Sequence, residues 1–259
     1  MAFAGVGDTV ELTPQDGFDL KIEGPFAAAL EGRNLITEAA KAVKEQHPNT
    51  ALGRFRLVKM LPVAAGVGGG SADAAAALRL IIRASEGRLS VADVAALAPR
   101  LGSDVAVCLS SAPAMITGRG EIVSPVQGFP SCGVVLVNPR VPLATADVYG
   151  ALSAGPVGDL PEEVAPSFAG DFDKLVDYVI RRANDLEPVA TGLAPKVETV
   201  LAALRSLEGA RLARLSGSGA TCFAVFATPR EAHRAAAMLA QSEPNWWIAA
   251  SMLGDPTSS

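Results

Sequence analysis

Cysteine is scarce in this chain. Its three copies, Cys108, Cys132 and Cys222, lie far apart, and no C-x-x-C pair occurs. That spacing offers neither a zinc knuckle nor a disulfide framework, and it reads as reduced, mostly buried thiols of a cytoplasmic protein. Histidine is scarcer still, with two copies. His47 sits in "EQHPNT", a polar helix end, and His233 lies on a helix beside Arg230 and Arg234. Both read as exposed side chains, and no pair has zinc spacing, so no metal site is expected. No basic stripe appears and the net charge is −5, which argues against nucleic acid as a partner. The longest apolar runs, such as "VAVCL" and "CGVVLV", are far too short to cross a bilayer, so no membrane role is expected. The start of the chain shows no basic region followed by an apolar core, so no signal peptide is expected.

What is present is apolar bulk: 49% hydrophobic and 19% charged residues, enough for one large domain or two ordinary ones. Residues 8–23 read as two alternating strands around a Gln-Asp-Gly turn. "NLITEAAKAVKEQ" is an amphipathic helix, and "RFRLVKML" is a strand by alternation. A helix from Ser71 to Arg83 is apolar nearly all round and should be buried. "SVADVAALAPRL" reads as one helix, with Ser90 as cap and Asp93 at the third position. "AMITGRGEIVSPV" reads as a hairpin turning at Gly118-Arg119-Gly120, and "PVQGFPS" as a boundary between domains 1–128 and 129–259. The second half opens with the strand "CGVVLVN", a helix from about Ala146, and an acidic loop over 155–170. The helices "DFDKLVDYVIRRAND" and "APKVETVLAALRSLE" follow. The strands "ARLARL" and "TCFAVFA" flank "SGSGA", and a helix capped by Thr228 precedes a last strand, "NWWIAASML". The pattern implies two α+β layers side by side.

The chemistry concentrates in "GVGGGSADAAAALRL", where positions 66–70 hold four glycines just before a helix. A strand, a glycine loop and a helix N-terminus together make an anion site. The first helical N–H groups lack partners, and the dipole adds roughly half a positive charge. The lysine of the Walker A pattern is missing before Ser71, and the dinucleotide pattern fails because position 71 is serine. A single glycine would read as tight helix–strand packing; four of them, with Ser71 behind, favour phosphate. A branched side chain at Gly69 should block backbone approach and disfavour a positive φ.

The pattern that fits is P-x-x-x-G-x-G-G-G-S-A, Pro62 to Ala72. It resembles the phosphate loop of the superfamily of galactokinase, homoserine kinase, mevalonate kinase and phosphomevalonate kinase. Within that superfamily, "LPVAAGVGGGSADAA", "LGSDVAVCL", "TGRGE" and "LSGSGATCFAVF" are similar to segments of the 4-diphosphocytidyl-2-C-methyl-D-erythritol kinase family. The resemblance runs over essentially the whole chain. It implies an N-terminal domain like ribosomal protein S5 and a C-terminal ferredoxin-like sandwich. It implies a cytoplasmic enzyme, monomer or homodimer, that moves the γ-phosphate of Mg-ATP to the 2-hydroxyl of its cytidine-diphosphate-linked substrate.

Carried over residue by residue, the loop assigns Pro62, Val63, Ala64 and Ala65 to the approach to ATP. Gly66, Val67, Gly68, Gly69 and Gly70 form the turn, and Ser71 and Ala72 the helix start, with the Ser71 hydroxyl toward phosphate or Mg²⁺. Asn34 falls near the adenine; by residue type alone it is an ordinary helix cap. Asp104 orients the acceptor hydroxyl and takes its proton; by residue type alone it is an Asx turn or cap. Thr145 and Tyr149, four apart, fall near the cytidine end, with a core tyrosine and an N-cap threonine as equal alternatives. Gly217, Ser218 and Gly219 fall in the third motif, on the substrate side; a plain hairpin turn is the alternative. The family's opening P-A-K-I-N-L strand and the Tyr-His pair after it are not found in this sequence, which begins "MAFAGVGDTV". Lys59, in the strand before the loop, is not assigned the role of the missing lysine. Met1 is therefore expected to be a downstream start, and the chain as written to fold poorly or turn over little. Two alternatives stand beside this expectation: another small-molecule kinase of the superfamily, and a non-catalytic nucleotide-binding remnant.

Overall fold

The computed structural model describes residues 1–30, 32–118, 120–155 and 163–254. Arg119 of the expected hairpin turn and residues 156–162 of the acidic loop lie outside these residues.

In the first half, β4 (Gly53–Val58) is the middle strand of a three-stranded sheet. β2 (Thr9–Thr13) pairs with it antiparallel, and β3 (Phe18–Glu23) pairs parallel on its other side. The two strands expected around Gln-Asp-Gly therefore exist but are not neighbours. Alternation reports which face of a strand is buried and says nothing about which strand lies beside it. The turn instead steps across the start of β4. Gly53, at φ +94°, makes room: a Cβ there would stand 2.5 Å from the Thr13 carbonyl oxygen and 3.2 Å from Gln15 N. Along β4, Phe55 and Leu57 are fully buried, while Arg54 and Arg56 face out and pair with Asp19, Glu11 and Glu23 on the flanking strands. α1 (Leu35–Gln46) and α2 (Gly69–Ala84) cover the inner face with Ile36, Val43, Leu78 and Ile81. Alanines at 74, 75 and 77 are wholly buried and keep α2 thin, so α1 and α5 (Val105–Ser110) pack closely on it.

The single helix expected from Ser90 is two short ones, α3 (Val91–Ala95) and α4 (Ala98–Leu101). The Ser90–Asp93 capping box forms as read. Pro99 has no N–H to return to Ala95, which interrupts the helical ladder there. The expected hairpin is β5 (Ala114–Thr117) with β6 (Ile122–Pro125).

The second half is a five-stranded antiparallel sheet in the order β1, β10, β7, β9, β8. These strands are β1 (Phe3–Ala4), β7 (Cys132–Asn138), β8 (Leu212–Leu215), β9 (Cys222–Phe226) and β10 (Trp247–Gly254). β1 comes from the opposite end of the chain. Phe3 pairs with Gly254 and Ala4 with Leu253, so these first residues join the second-half sheet. Between β7 and β8 run α6 (Thr145–Ala151), α7 (Phe172–Ile180), α8 (Leu186–Leu193) and α9 (Lys196–Arg205). α9 and α10 (Pro229–Ser242) bury Leu201, Leu204 and Leu239 with Val135 and Phe226 of the sheet. α7 places Leu175 with Cys132 and Phe168 in a separate core cluster. α8 was not foreseen: Pro188 and Gly192 mask its pattern, although proline is tolerated in a first helical turn. The result is the α+β architecture that the pattern implied.

Candidate active site

The end of β4 delivers the chain into the glycine loop. Two glycines there take left-handed backbone: Gly66 at φ +72° and Gly68 at φ +67°. Gly68 is the N-cap of α2, and no side chain caps the helix. Ala72 N donates to Gly68 O at 3.0 Å, so Gly69, Gly70 and Ser71 form the opening turn, whose N–H groups point back out of the helix end. Gly69 itself is helical and does not have the positive φ expected of it. A Cβ at Gly69 would meet Lys59 Nζ at 3.3 Å, Leu61 Cδ1 at 3.4 Å and Asp8 Oδ2 at 3.5 Å, all beneath the loop. The close approach falls at Gly66 instead. A Cβ there would collide with the Ser216 carbonyl oxygen and lie 2.7 Å from the Gly219 N and O atoms.

The third glycine motif is thus fastened to the first. Thr221 N donates to Ala65 O at 3.2 Å, and Ser216 Oγ donates to Gly66 O at 2.9 Å. Asn184 Nδ2 holds the same loop from the other side, donating to Leu215 O at 3.1 Å and Gly217 O at 2.9 Å. Asn138 Nδ2, buried, donates to Thr221 Oγ1 at 2.9 Å. Gly217, Ser218 and Gly219 are the turn of the β8–β9 hairpin, as the alternative reading had it, and that turn is in addition braced against the phosphate loop. Ser216, Asn184 and Asn138 escaped the sequence reading because their partners lie far along the chain.

Asp104 stands at the N-cap position of α5, yet its side chain makes no capping bond. Its Oδ2 lies 4.0 Å from the position of a Cβ on Gly68, and its Oδ1 accepts from Ser103 Oγ at 3.3 Å. The carboxylate is partly exposed beside the loop's turn. Thr145 is the first residue of α6 and not its cap; its hydroxyl shares a 2.8 Å hydrogen bond with Ser218. Tyr149 is 59% exposed, so the core reading of that ring fails. Asn34 does cap α1: its Oδ1 accepts from Ile36 N at 2.9 Å. The helix it caps begins beside the loop, with Leu35 Cδ1 3.7 Å from the position of a Cβ on Gly70.

Pro62, Val63, Ala64, Ala65 and Val67 complete the loop, its entry held by Asp8, whose Oδ1 accepts from Met60 N at 2.6 Å and Leu61 N at 2.8 Å. Asp8 also accepts from the buried Lys59 ammonium, which bonds Asp73 as well. Burial pushes the Asp73 carboxyl up to about 6; Lys59 pulls it down and Asp8 pushes it further up. One signal for this cluster was in the sequence, since Asp73 is the lone acid of its helix, set among alanines. Burial likewise pushes the three thiols up, Cys108 and Cys222 to about 12 and Cys132 to about 11, which leaves them protonated and inert. Among the described residues no cluster of three histidine, cysteine or acidic side chains could hold a metal ion.

Comparison with known proteins agrees with this geometry. Residues 34–112 match the GHMP kinases N terminal domain, and residues 168–245 the GHMP kinases C terminal family. The chain is 44% identical over 262 residues to 4-diphosphocytidyl-2-C-methyl-D-erythritol kinase of Bradyrhizobium diazoefficiens, covering 98% of this chain and 88% of that protein. It is 46% identical to the protein of the same name from Rhodopseudomonas palustris, covering 98% and 87%. A crystal structure of 4-(cytidine 5'-diphospho)-2C-methyl-D-erythritol kinase superposes with a TM-score of 0.75 at 29% identity, over 98% of this chain and 88% of that one. Homoserine kinase from Cytophaga hutchinsonii shares the fold, with a TM-score of 0.69 at 15% identity over 96% and 86% of the two chains. Matched in both halves and along nearly its whole length, the chain belongs to the 4-diphosphocytidyl-2-C-methyl-D-erythritol kinase family of the GHMP kinases.

Proposed function

We propose that this kinase transfers the γ-phosphate of Mg-ATP to the 2-hydroxyl of 4-diphosphocytidyl-2-C-methyl-D-erythritol. The observation that carries this reading is the meeting of three parts at one point: the loop turn at Gly66–Gly68, the Asp104 carboxylate, and the braced third loop. Phosphoryl transfer asks a protein mainly for positioning and for charge stabilisation. The Gly69–Ser71 N–H groups and the α2 dipole receive the phosphates of ATP. The Ser71 hydroxyl, in that opening turn, would hydrogen-bond a phosphate oxygen or ligate the Mg²⁺ that ATP carries. Asp104 accepts the hydrogen bond of the acceptor hydroxyl, aligns its oxygen with the γ-phosphorus and takes the proton as the new P–O bond forms. The bond to ADP breaks on the opposite side.

The cytidine end lies over the start of α6. There the Thr145–Ser218 hydroxyl pair and the exposed Tyr149 ring supply a hydrogen-bonding edge and a stacking face. Asn34 keeps α1 ordered on the adenine side. The domains divide at 1–128 and 129–259, except that Phe3–Ala4 lend the strand β1 to the sheet of the second, and the enzyme works in the cytoplasm as a monomer or homodimer on small molecules alone. Among the described residues no helix is long and apolar enough to cross a membrane.

The test is purified protein with Mg-ATP and the cytidine-diphosphate acceptor, following ADP and phosphorylated product together. Equal amounts of both are expected. ADP without phosphorylated acceptor, or preferential phosphorylation of homoserine or mevalonate, would overturn the assignment.

A further inference from the structure

Beneath the phosphate loop lies a buried cluster of three charged side chains that the transfer step does not use. The side chains of Lys59, Asp8 and Asp73 are 4%, 1% and 9% exposed. They come from three places: the segment before β2, the residue after β4, and the second turn of α2. Lys59 Nζ donates to Asp8 Oδ2, and to Asp73 Oδ2 at 3.0 Å. The other oxygen of Asp8 takes the N–H groups of Met60 and Leu61, the loop's entry. One carboxylate thus holds the backbone entering the loop, and one ammonium ties that carboxylate to the helix leaving it. The turn from Pro62 to Gly68 is suspended between these two anchors.

Two acids against one base, all out of water, is a poor arrangement for stability, because the desolvation of buried ions readily exceeds their attraction. Its return is a defined geometry. Lys59 cannot itself reach a bound phosphate: it is covered, and its ammonium lies on the inner side of Gly69. We propose that Lys59 is a positioning residue of the phosphate loop. With Asp8 and Asp73 it locks the loop's entry to α2, so that the N–H groups of Gly69, Gly70 and Ser71 keep one common direction. The inference rests on the reading of this loop as the ATP site.

The test measures binding and therefore does not depend on turnover. Affinities for the magnesium complex of a non-hydrolysable ATP analogue and for CDP are compared, with thermal melts, in the wild type and in Lys59→Met. The expected result is a loss of about tenfold or more for the ATP analogue, with CDP affinity within about twofold of wild type. A folded Lys59→Met protein with wild-type affinity for the analogue would overturn the proposal. If that variant does not melt cooperatively, a second one decides. Asp8→Asn, Lys59→Met and Asp73→Asn together leave no buried charge unpaired. Weakened analogue binding by this folded triple variant supports the positioning role, and unchanged binding overturns it. A wild-type protein that binds no ATP analogue at all would remove the loop reading, and this inference with it.

Discussion

The Asp104 carboxylate lies 4.0 Å from the point that a Cβ on Gly68 would occupy, and it caps nothing. A helix-start aspartate without a capping bond contributes little to its helix, whereas the turn it faces is the one proposed to receive phosphate. Asp104→Asn should therefore separate catalysis from folding. The expected outcome is a fall in kcat of about 10²–10⁴-fold, with ATP-analogue affinity and melting temperature close to wild type. Steady-state kinetics with a parallel melt checks this. Wild-type turnover would remove Asp104 from the mechanism.

Glycine positions in the loop should differ sharply. At Gly66 any side chain meets backbone, the Ser216 carbonyl and the Gly219 peptide, and the φ of +72° adds strain. Gly66→Ala should part the first and third motifs, lower the melting temperature and weaken ATP-analogue binding about tenfold or more. At Gly69 the obstacle is a side-chain tip, Lys59 Nζ at 3.3 Å, which need give by only a few tenths of an ångström for one methyl, and φ is helical. Gly69→Ala should bind nearly normally. The bulkier Gly69→Val should still cost at least about tenfold, acting from below through Lys59 and Asp8. Calorimetric titration of the three variants orders them, and equal effects of alanine at 66 and at 69 would contradict this account of the loop.

Much of this was readable in one dimension, because it depends on local chemistry. The Ser90 and Thr228 caps and the alternation of β4 form as read, and the glycine loop does lead into a helix, although α2 begins at Gly69, two residues before the expected Ser71. What stayed hidden depends on long-range partners. β2 and β3 are separated by a strand that comes some thirty residues later, and β1 pairs with the far end of the chain. The bond from Ser216 to Gly66 spans 150 positions, and no local pattern encodes it. For Asp104 residue type favoured a turn or cap, and for Thr145 it left a cap as an equal alternative; the fold gives both side chains other neighbours.

Tyr149 offers a contrast with the core tyrosine that its helix position allowed. At 59% exposure, the ring has little packing to lose. Tyr149→Ala should leave the melting temperature unchanged and raise KM for the cytidine substrate about fivefold or more, from the roughly 1–3 kcal/mol that base stacking supplies. KM for ATP should stay within about twofold. A variant that loses stability and raises both KM values alike would return Tyr149 to a structural role.

The buried carboxyl of Asp73 gives stability a distinct dependence on pH. Its folded-state value is about 6 against an ordinary 3.8, because burial disfavours the charged form more than Lys59 favours it. Between these values the folded protein holds a proton at this site that the unfolded chain has released. The proton excess is on the folded side, so this group's contribution to stability falls as pH rises from about 4 to about 6, and above 6 it stays at its least favourable level. Asp73→Asn keeps an oxygen for the Lys59 ammonium and cannot ionise. Relative to wild type, the variant should gain melting temperature as pH rises through this window and keep that advantage at pH 8. The comparison is read as the difference between two melting curves at each pH, which cancels the carboxylates common to both. A constant difference from pH 4 to 8 would mean that Asp73 is ionised throughout, with Lys59 outweighing its burial. A variant that loses ground as pH rises would mean that the ion pair stabilises the fold outright, and the cost assigned to this buried cluster would then be wrong.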